Sequence, residues 1–581
     1  MKILRNFIVF LILLVLMSSL PLRAQKLYQE RIYEPVVLRG GILSAFYDVP
    51  VDQLYLYAFD ESTQSWRMMP FQIDERILAE DPFKPGNENA RRHSYFIPDD
   101  GLLDVDDELV FMIRDMGDRA PNYVWIDNEE ARGNKRLEII VTDPMDSTQH
   151  AYAYLFQSGT ITEQVPRPYE FSFDPENQIA ESKYYAVRMS RNSGLIEDII
   201  IKPPFGTGVD IFDTQKIRFI GLMDFGTFAF TIGRGGKQAA NERDNLYVYP
   251  DSVYLEYSKD PVVRLIREAR ETIRFGSIII NETAFYVNTK FYPFSGALVG
   301  GADLDPEKLK EEFQTEEDIY IEFDLLRQSW DFNEMATGMK FYNKYNQDVV
   351  IDGNPDDVNK QIDLPIREWT MASGEQGTLF THVEFLDTLW HSVELYYYDN
   401  NQGGQGDETT IDGGDTGDSL SFGDQGIIFR QLAQQSVSLK LGFTAYFLPG
   451  NQDKAFGEQL AAWVENPVKA TSIAIDFPTG VQEADTKGPE TFALYQNYPN
   501  PFNSSTIIKF SLPHRQDVRL RIIDLNGRVV KTLVNSTLDK GVHQLRWNGL
   551  DERQQEVASG VYFYQIQSGD YVAMKKLILV H

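Results

Sequence analysis

Ala493-Leu494-Tyr495-Gln496-Asn497-Tyr498-Pro499-Asn500-Pro501-Phe502-Asn503 opens the last stretch of the chain, and the pattern behind it sets the fold class. Thr506 to Leu512, Val518 to Asp524 and Gly560 to Gln567 alternate or run apolar, which is how strands read. Leu525-Asn526-Gly527-Arg528 between them predicts a two-residue hairpin, because Asn and Gly tolerate the positive φ of a type I′ turn. His543 to Trp547 precedes the turn-like Asn548-Gly549, and Met574 to Val580 is the final strand. Roughly six or seven short strands in about ninety residues predict a small β-sandwich.

These residues also resemble a known family. The Tyr-Pro-Asn-Pro-Phe-Asn opening, the Asp524 to Lys531 hairpin, Gly541 to Trp547, Ser559-Gly560-Val561-Tyr562 and Lys575-Lys576-Leu577 occur in the order found in the C-terminal sorting domain of the type IX secretion system. The stretch is similar as well to the immunoglobulin-like domain of flagellar hook-capping proteins. The resemblance spans residues 490–581 and implies an immunoglobulin-like sandwich that serves as an address. Its partner would be the type IX secretion machinery, and the destination secreted or outer cell surface after periplasmic transit. It implies no chemistry. The competing reading is an unrelated small sandwich appended for stability.

The other end agrees with export. Lys2 and Arg5 precede an apolar run from Phe7 to Leu20, and Ala24 is a plausible cleavage position before Gln25, so residues 1–24 read as a signal peptide. That run is short for a membrane span, and no other stretch is long and apolar enough to be one, so the mature chain is expected to have no transmembrane segment. The sequence has no cysteine, which removes a lipid anchor and any disulfide framework. A formal charge of −31 argues against a nucleic-acid partner, since every phosphate contact would work against net repulsion. An exported acidic protein does meet divalent cations outside the cell, although a solvated acidic surface is the simpler account of the charge.

Aromatic residues make up 13% of the chain, which favours strands over helices, and the whole is expected to be all-β. Residues 25–169 read as an N-terminal β domain, with strands near Val36–Leu38, Gln53–Tyr57, Trp66–Ile73, Glu108–Ile113, Leu137–Val141 and Ala151–Phe156. Within it, Pro98-Asp99-Asp100-Gly101-Leu102-Leu103-Asp104-Val105-Asp106-Asp107-Glu108 crowds carboxylates around a glycine. Calcium takes six to eight oxygens, so Asp100, Asp104 and Asp107 are candidate ligands. Set on an EF-hand loop, Asp104 and Asp107 fall at the ninth and twelfth positions, but Phe96 and Pro98 occupy the first and third. An acidic turn without metal is the other reading.

Residues 170–476 continue as a large β-sandwich body. One run, Asp260 to Phe275, is ambiguous: Arg264, Arg267, Arg270 and Arg274 have helical spacing, while the flanking branched and aromatic residues prefer a strand. It resembles the long Arg-bearing strand of galactose-mutarotase-like and polysaccharide-lyase-like sandwich proteins, a resemblance that carries over no catalytic residue. Short helices are expected from Asp305 to Phe313 and from Ala455 to Val464, neither with an evident site. The Gly- and Asp-rich loop 400–426 is either a flexible insertion or a cation-binding loop, and residues 477–489 read as a linker to the tail.

Catalytic motifs are scarce. Gly233-Arg234-Gly235-Gly236-Lys237 lacks the first glycine and the final hydroxyl of a phosphate loop, and neither a His-Glu-x-x-His zinc motif nor a Gly-x-Ser-x-Gly elbow occurs. His382 and His391, beside Glu384 and Glu394, could face each other across a hairpin as a metal or acid/base set, or be ordinary strand histidines. Two readings follow: a surface-displayed binding or structural module for extracellular glycan or polymer, or an extracellular polysaccharide-active lyase or hydrolase. A concave groove lined by Trp, Tyr, Arg and paired carboxylates would favour the enzyme.

Overall fold

The structure, a computed structural model, describes residues 26–580 apart from 81–90, 97–98, 190–195, 225–228, 233–245, 251–255, 259, 276–277, 305–309, 311–319, 386–391, 402–420, 435–436, 479–490, 498–499, 501, 503–505, 526, 554 and 570. The expected signal peptide, nearly all of the 305–313 helix, His391, the Gly233–Lys237 stretch, most of the 400–426 loop and most of the linker lie outside the described residues.

The all-β expectation holds. Described residues up to Phe477 form one compact unit and those from Pro478 onward a second. The expected boundary at 169/170 therefore falls inside a single unit.

The strand Glu108–Met112 explains why that unit is continuous. It lies between Pro35–Arg39 and Phe71–Asp74 in a three-stranded sheet, and all five of its residues are buried. Successive side chains of a strand point to opposite faces, so an uninterrupted apolar run is sheltered on both. Leu109 and Phe111 pack with Leu54, Leu56, Ile139 and Leu155 of a five-stranded sheet, while Val110 and Met112 pack with Tyr292, Phe294, Phe380 and Tyr446. One short strand thus belongs to two cores.

The five-stranded sheet runs, in spatial order, Lys469–Asp476, Lys135–Thr142, His150–Gln157, Leu54–Asp60, Ser65–Met68. Its edge strand comes from residues expected to end the body, and it pairs from Lys469 with Thr142 to Asp476 with Lys135. The expected strand Trp66–Ile73 is two strands in different sheets, divided at Met69-Pro70, where proline has no N–H to continue a ladder.

A ten-stranded antiparallel sheet carries the body. Its centre is Ile278–Tyr292, Ser295–Leu304, Val437–Leu448 and Gly377–Phe385, and the Arg-bearing run forms a strand, Leu265–Phe275, beside Ile278–Tyr292. The sheet period won because both neighbours on its ladder, Leu246–Pro250 and Ile278–Tyr292, pair with it. One face packs on a second five-stranded sheet through Trp330 and Phe443, stacked at 4.4 Å, with Leu265, Phe291, Leu379, Phe429 and Phe447 around them. The other face receives the N-terminal layer and the helix Lys454–Glu465, close to its expected span, whose Asp453 cap accepts from the Phe456 N–H at 3.0 Å. Residues 421–426, expected in the Gly/Asp loop, begin the strand Ser421–Gln434.

The second unit is a small sandwich. Sheets of three strands (Ala493–Leu494, Thr506–Leu512, Gly541–Trp547) and four (Val529–Leu538, Gln516–Ile523, Gly560–Ser568, Tyr571–Leu579) enclose Ile508, Phe510, Leu520, Ile522, Tyr564 and Leu577. Its opening motif is structural: the buried Asn497 donates its N–H to the Tyr564 hydroxyl at 2.8 Å, and Asn500 Oδ1 accepts from the Ile578 N–H at 2.8 Å. The expected two-residue turn is longer, since Asp524 N–H bonds Arg528 C=O at 3.0 Å, with Gly527 at φ +75°.

Candidate functional site

The acidic loop turns its carboxylates onto itself. Asp100 Oδ1 accepts from Leu102 N–H at 2.9 Å, and Asp104 Oδ1 from Asp106 N–H at 2.7 Å. Asp107, fully buried, accepts from Arg76 N–H at 3.0 Å and from Asp104 N–H at 2.8 Å, and burial raises its carboxyl to about 6. These are Asx-type bonds that fold the loop. Among the described residues no group of three or more His, Asp or Glu side chains is placed to hold a metal ion, so the structure does not assemble Asp100, Asp104 and Asp107 into the expected calcium site.

Of the expected histidine pair, only His382 lies among the described residues. His382 is buried with Nε2 at 3.7 Å from Glu465 Oε1, and burial lowers its pKa. Glu384 is taken up by Arg367 at 3.1 Å, and Glu394 lies 3.7 Å from Arg430.

A pocket of about 230 Å³ opens where the N-terminal layer, the ten-stranded sheet and the helix Lys454–Glu465 meet. Arg31, Tyr33 and Glu34 line it from one side, Tyr292 and Tyr446 from the sheet, and Trp463 from the helix. Arg31 sits at the foot of the helix. Its Nη2 donates to the carbonyl of Asn466 at 2.8 Å and reaches that of Trp463 at 3.4 Å, at the helix C-terminus, whose carbonyls favour a cation. The guanidinium also lies 5.7 Å from the Trp463 ring centroid.

Two carboxylates flank that arginine. Glu34 Oε2 is 3.3 Å from Arg31 Nη1, and Asp143 Oδ2 is 3.6 Å from Nε. Glu34 Oε1 accepts from the Val468 N–H at 2.9 Å. Burial raises Glu34 to about 7, against the pull of Arg31 and of that N–H, and Asp143 adds to the rise. Arg31 Nε and Nη1 and Glu34 Oε2 are buried and make no hydrogen bond. A donor and an acceptor are thus held side by side in a pocket walled by aromatic rings.

Of these residues only Trp463 stood out in the sequence, as part of a helix with no evident site. More than 400 positions separate Arg31 from Trp463, and no local pattern links them.

Residues 496–580 match the family described as "Secretion system C-terminal sorting domain". The chain carries a type IX secretion sorting tail. The tail indicates secretion to the cell surface or the extracellular space, and among the described residues no helix is long and apolar enough to cross a membrane.

No curated protein matches the chain. Among solved structures, an alpha-mannosidase from Enterococcus faecalis V583 is similar over 89% of this chain and 54% of its own, at 10% identity and a TM-score of 0.35. The chain therefore spans about half the length of that protein. A galactose mutarotase related enzyme from Lactobacillus acidophilus is matched over 48% of this chain and 98% of its own, at 6% identity and a TM-score of 0.26. Dimeric latent PorU from Porphyromonas gingivalis is matched over 75% and 36%, at 10% identity and a TM-score of 0.14. None of these three likenesses bears on what the tailed chain does.

Proposed function

We propose that the body of this type IX cargo is a binding module for extracellular carbohydrate, and that the pocket between Arg31, Glu34 and Trp463 holds the sugar. The observation that carries the reading is the Arg31 Nη1–Glu34 Oε2 ion pair, 3.3 Å apart and with no hydrogen bond made by either atom, beside the rings of Tyr33 and Trp463. A sugar presents hydroxyls that both give and accept hydrogen bonds, and C–H faces that lie against aromatic rings. At about 230 Å³ the pocket is smaller than the ~300–1,000 Å³ of drug-sized sites, which suits one sugar unit or chain end rather than an extended oligomer. Calcium has no part in the reading.

The alternative is an extracellular polysaccharide-active lyase or hydrolase. One observation favours it: a carboxyl raised to about 7 is poised to give and take a proton near neutrality.

A glycan array probed with the full mature chain, with and without a calcium chelator, followed by calorimetry on any hit, tests both. Trp463→Ala should weaken binding about tenfold, ~1.4 kcal/mol. Glu34→Gln should keep measurable binding, and should abolish product release if the pocket is catalytic. Failure to bind any glycan, or unchanged binding by Trp463→Ala, would discard the carbohydrate pocket.

A further inference from the structure

A second cluster, which meets the wall of the pocket at Tyr292, joins the N-terminal layer to the ten-stranded sheet. Asp74 and Glu108 stand opposite each other on adjacent antiparallel strands. Arg264 reaches them from the sheet, wholly buried: it bonds Asp74 Oδ2 through Nη2 and, at 2.9 Å, through Nε, and bonds Glu108 Oε2 through Nη2 at 2.8 Å. Arg76 Nη1 is 3.1 Å from Glu108 Oε1. The Tyr95 hydroxyl donates to Glu108 Oε2 at 3.1 Å, and Lys290 Nζ donates to the Tyr95 oxygen at 2.8 Å.

Three cations therefore gather around one ring. The charged groups of Arg76, Arg264 and Lys290 lie 5.5, 5.4 and 5.0 Å from the Tyr95 centroid. Both carboxylates of the cross-strand pair are engaged by the arginines. Glu268 accepts from Asn288 Nδ2 at 2.8 Å, and Glu75 sits on the side of Asp99 and Asp107. Arginine keeps its proton in proteins, so among the three cations Lys290 is the one that can relieve the crowding by becoming a neutral amine. Burial, with Arg264 and Arg76, lowers it to about 8, while Glu108 and Asp74 oppose the fall.

The hydroxyl proton of Tyr95 is directed at Glu108, so the phenol oxygen accepts from the lysine and leaves the lone pair of a neutral Nζ unused. Lys290 as a whole is only partly buried. We propose that Lys290 is a reactive amine that captures an aldehyde, such as the open-chain form of a reducing sugar, as an imine. The Nζ lone pair attacks the carbonyl carbon, forming the C–N bond as the carbonyl π pair moves to oxygen. The two amine hydrogens then leave with that oxygen as water, and nothing is oxidised or reduced.

The test is to treat the full mature chain with glyceraldehyde and cyanoborohydride, which traps imines, across about pH 6 to 10, and to map the adducts by mass spectrometry. Lys290 should be trapped first, at least tenfold faster at about pH 7 than the exposed Lys340 and Lys344, with a midpoint near 8. Lys290→Arg should lose that adduct and leave the others unchanged. Tyr95→Phe, which frees the amine to swing away from the arginines, should move the midpoint upward. Trapping of Lys290 no faster than of Lys340, or none in the folded chain, would overturn the proposal, and neither result touches the pocket at Arg31.

Discussion

Asp74 and Glu108 face each other directly across neighbouring strands, a cross-strand pair of like charge that a sheet ordinarily disfavours. Arg264 makes the pairing tenable by bonding both, at 0% exposure. Arg264→Met should leave two buried carboxylates opposed and cost about 3–5 kcal/mol, the usual penalty for breaking a buried pair from one side. The check is the urea midpoint of the main transition. Adding Asp74→Asn and Glu108→Gln to that variant should restore part of the loss; an unchanged midpoint in Arg264→Met would mean that the network does not hold the two layers together.

Stability should fall as pH rises from about 4 to about 7. Burial raises Glu34 and Glu368 to about 7, and Asp107, Asp210 and Asp399 to about 6. Through that window these five carboxyls bind more protons in the folded chain than in the unfolded one, outweighing the lowered His382, so each favours the fold on the acid side and loses its contribution as pH passes its folded value. Denaturation midpoints compared at pH 5.5 and pH 8 measure the slope, and Glu34→Gln should flatten it. A midpoint that does not change across the range would contradict the buried, protonated state of these acids.

Gly457 belongs to the helix Lys454–Glu465, yet alanine should not improve it. A Cβ there would stand 2.6 Å from Cζ3 of the buried Trp369. Alanine gains ~1 kcal/mol of helix propensity over glycine, but overpacking costs ~1–3 kcal/mol, so the net effect is a loss of up to about 2 kcal/mol. Chemical denaturation of Gly457→Ala checks the sign. A stabilised variant would show that Trp369 moves aside freely.

Two truncations should behave differently. A chain ending at Phe477 keeps its whole first unit and should unfold at the same temperature as the corresponding transition of the full chain, while losing export. A chain ending at Pro467 lacks Lys469–Asp476 and so uncovers the ladder edge of Lys135–Thr142. It should melt lower and aggregate through that edge. Differential scanning calorimetry and fractionation of culture medium report the two effects. Delivery of the Phe477-terminated chain at normal yield would remove the tail's role as an address.

The tail was legible because its signals are local. Gly527 and Gly549 serve turns at positive φ, and the alternating strands between them need only one another for a core, whereas Asn497 and Asn500 bond the distant Tyr564 and Ile578. Strands of the first unit were legible too, including Glu108–Met112, whose apolar Leu109 to Met112 signals shelter on both faces. The acidic loop has two readings in the sequence because closely spaced Asp residues that fold their own loop resemble closely spaced Asp residues that hold a cation. Backbone N–H groups reach the Asp100, Asp104 and Asp107 oxygens first.

By itself, then, the sequence determined the β class, the sandwich tail with its implied route out of the cell, and the helix that carries Trp463. Periodicity and turn chemistry act over a few residues, and those signals survive in one dimension. Tertiary structure alone decided that Lys469–Asp476 closes a sheet begun more than 300 residues earlier, that Arg31 meets Trp463, and that Lys290 shares Tyr95 with two arginines. Burial and the meeting of charges depend on which distant strands become neighbours, and in an antiparallel sheet of ten strands that choice is made by the packing of whole layers.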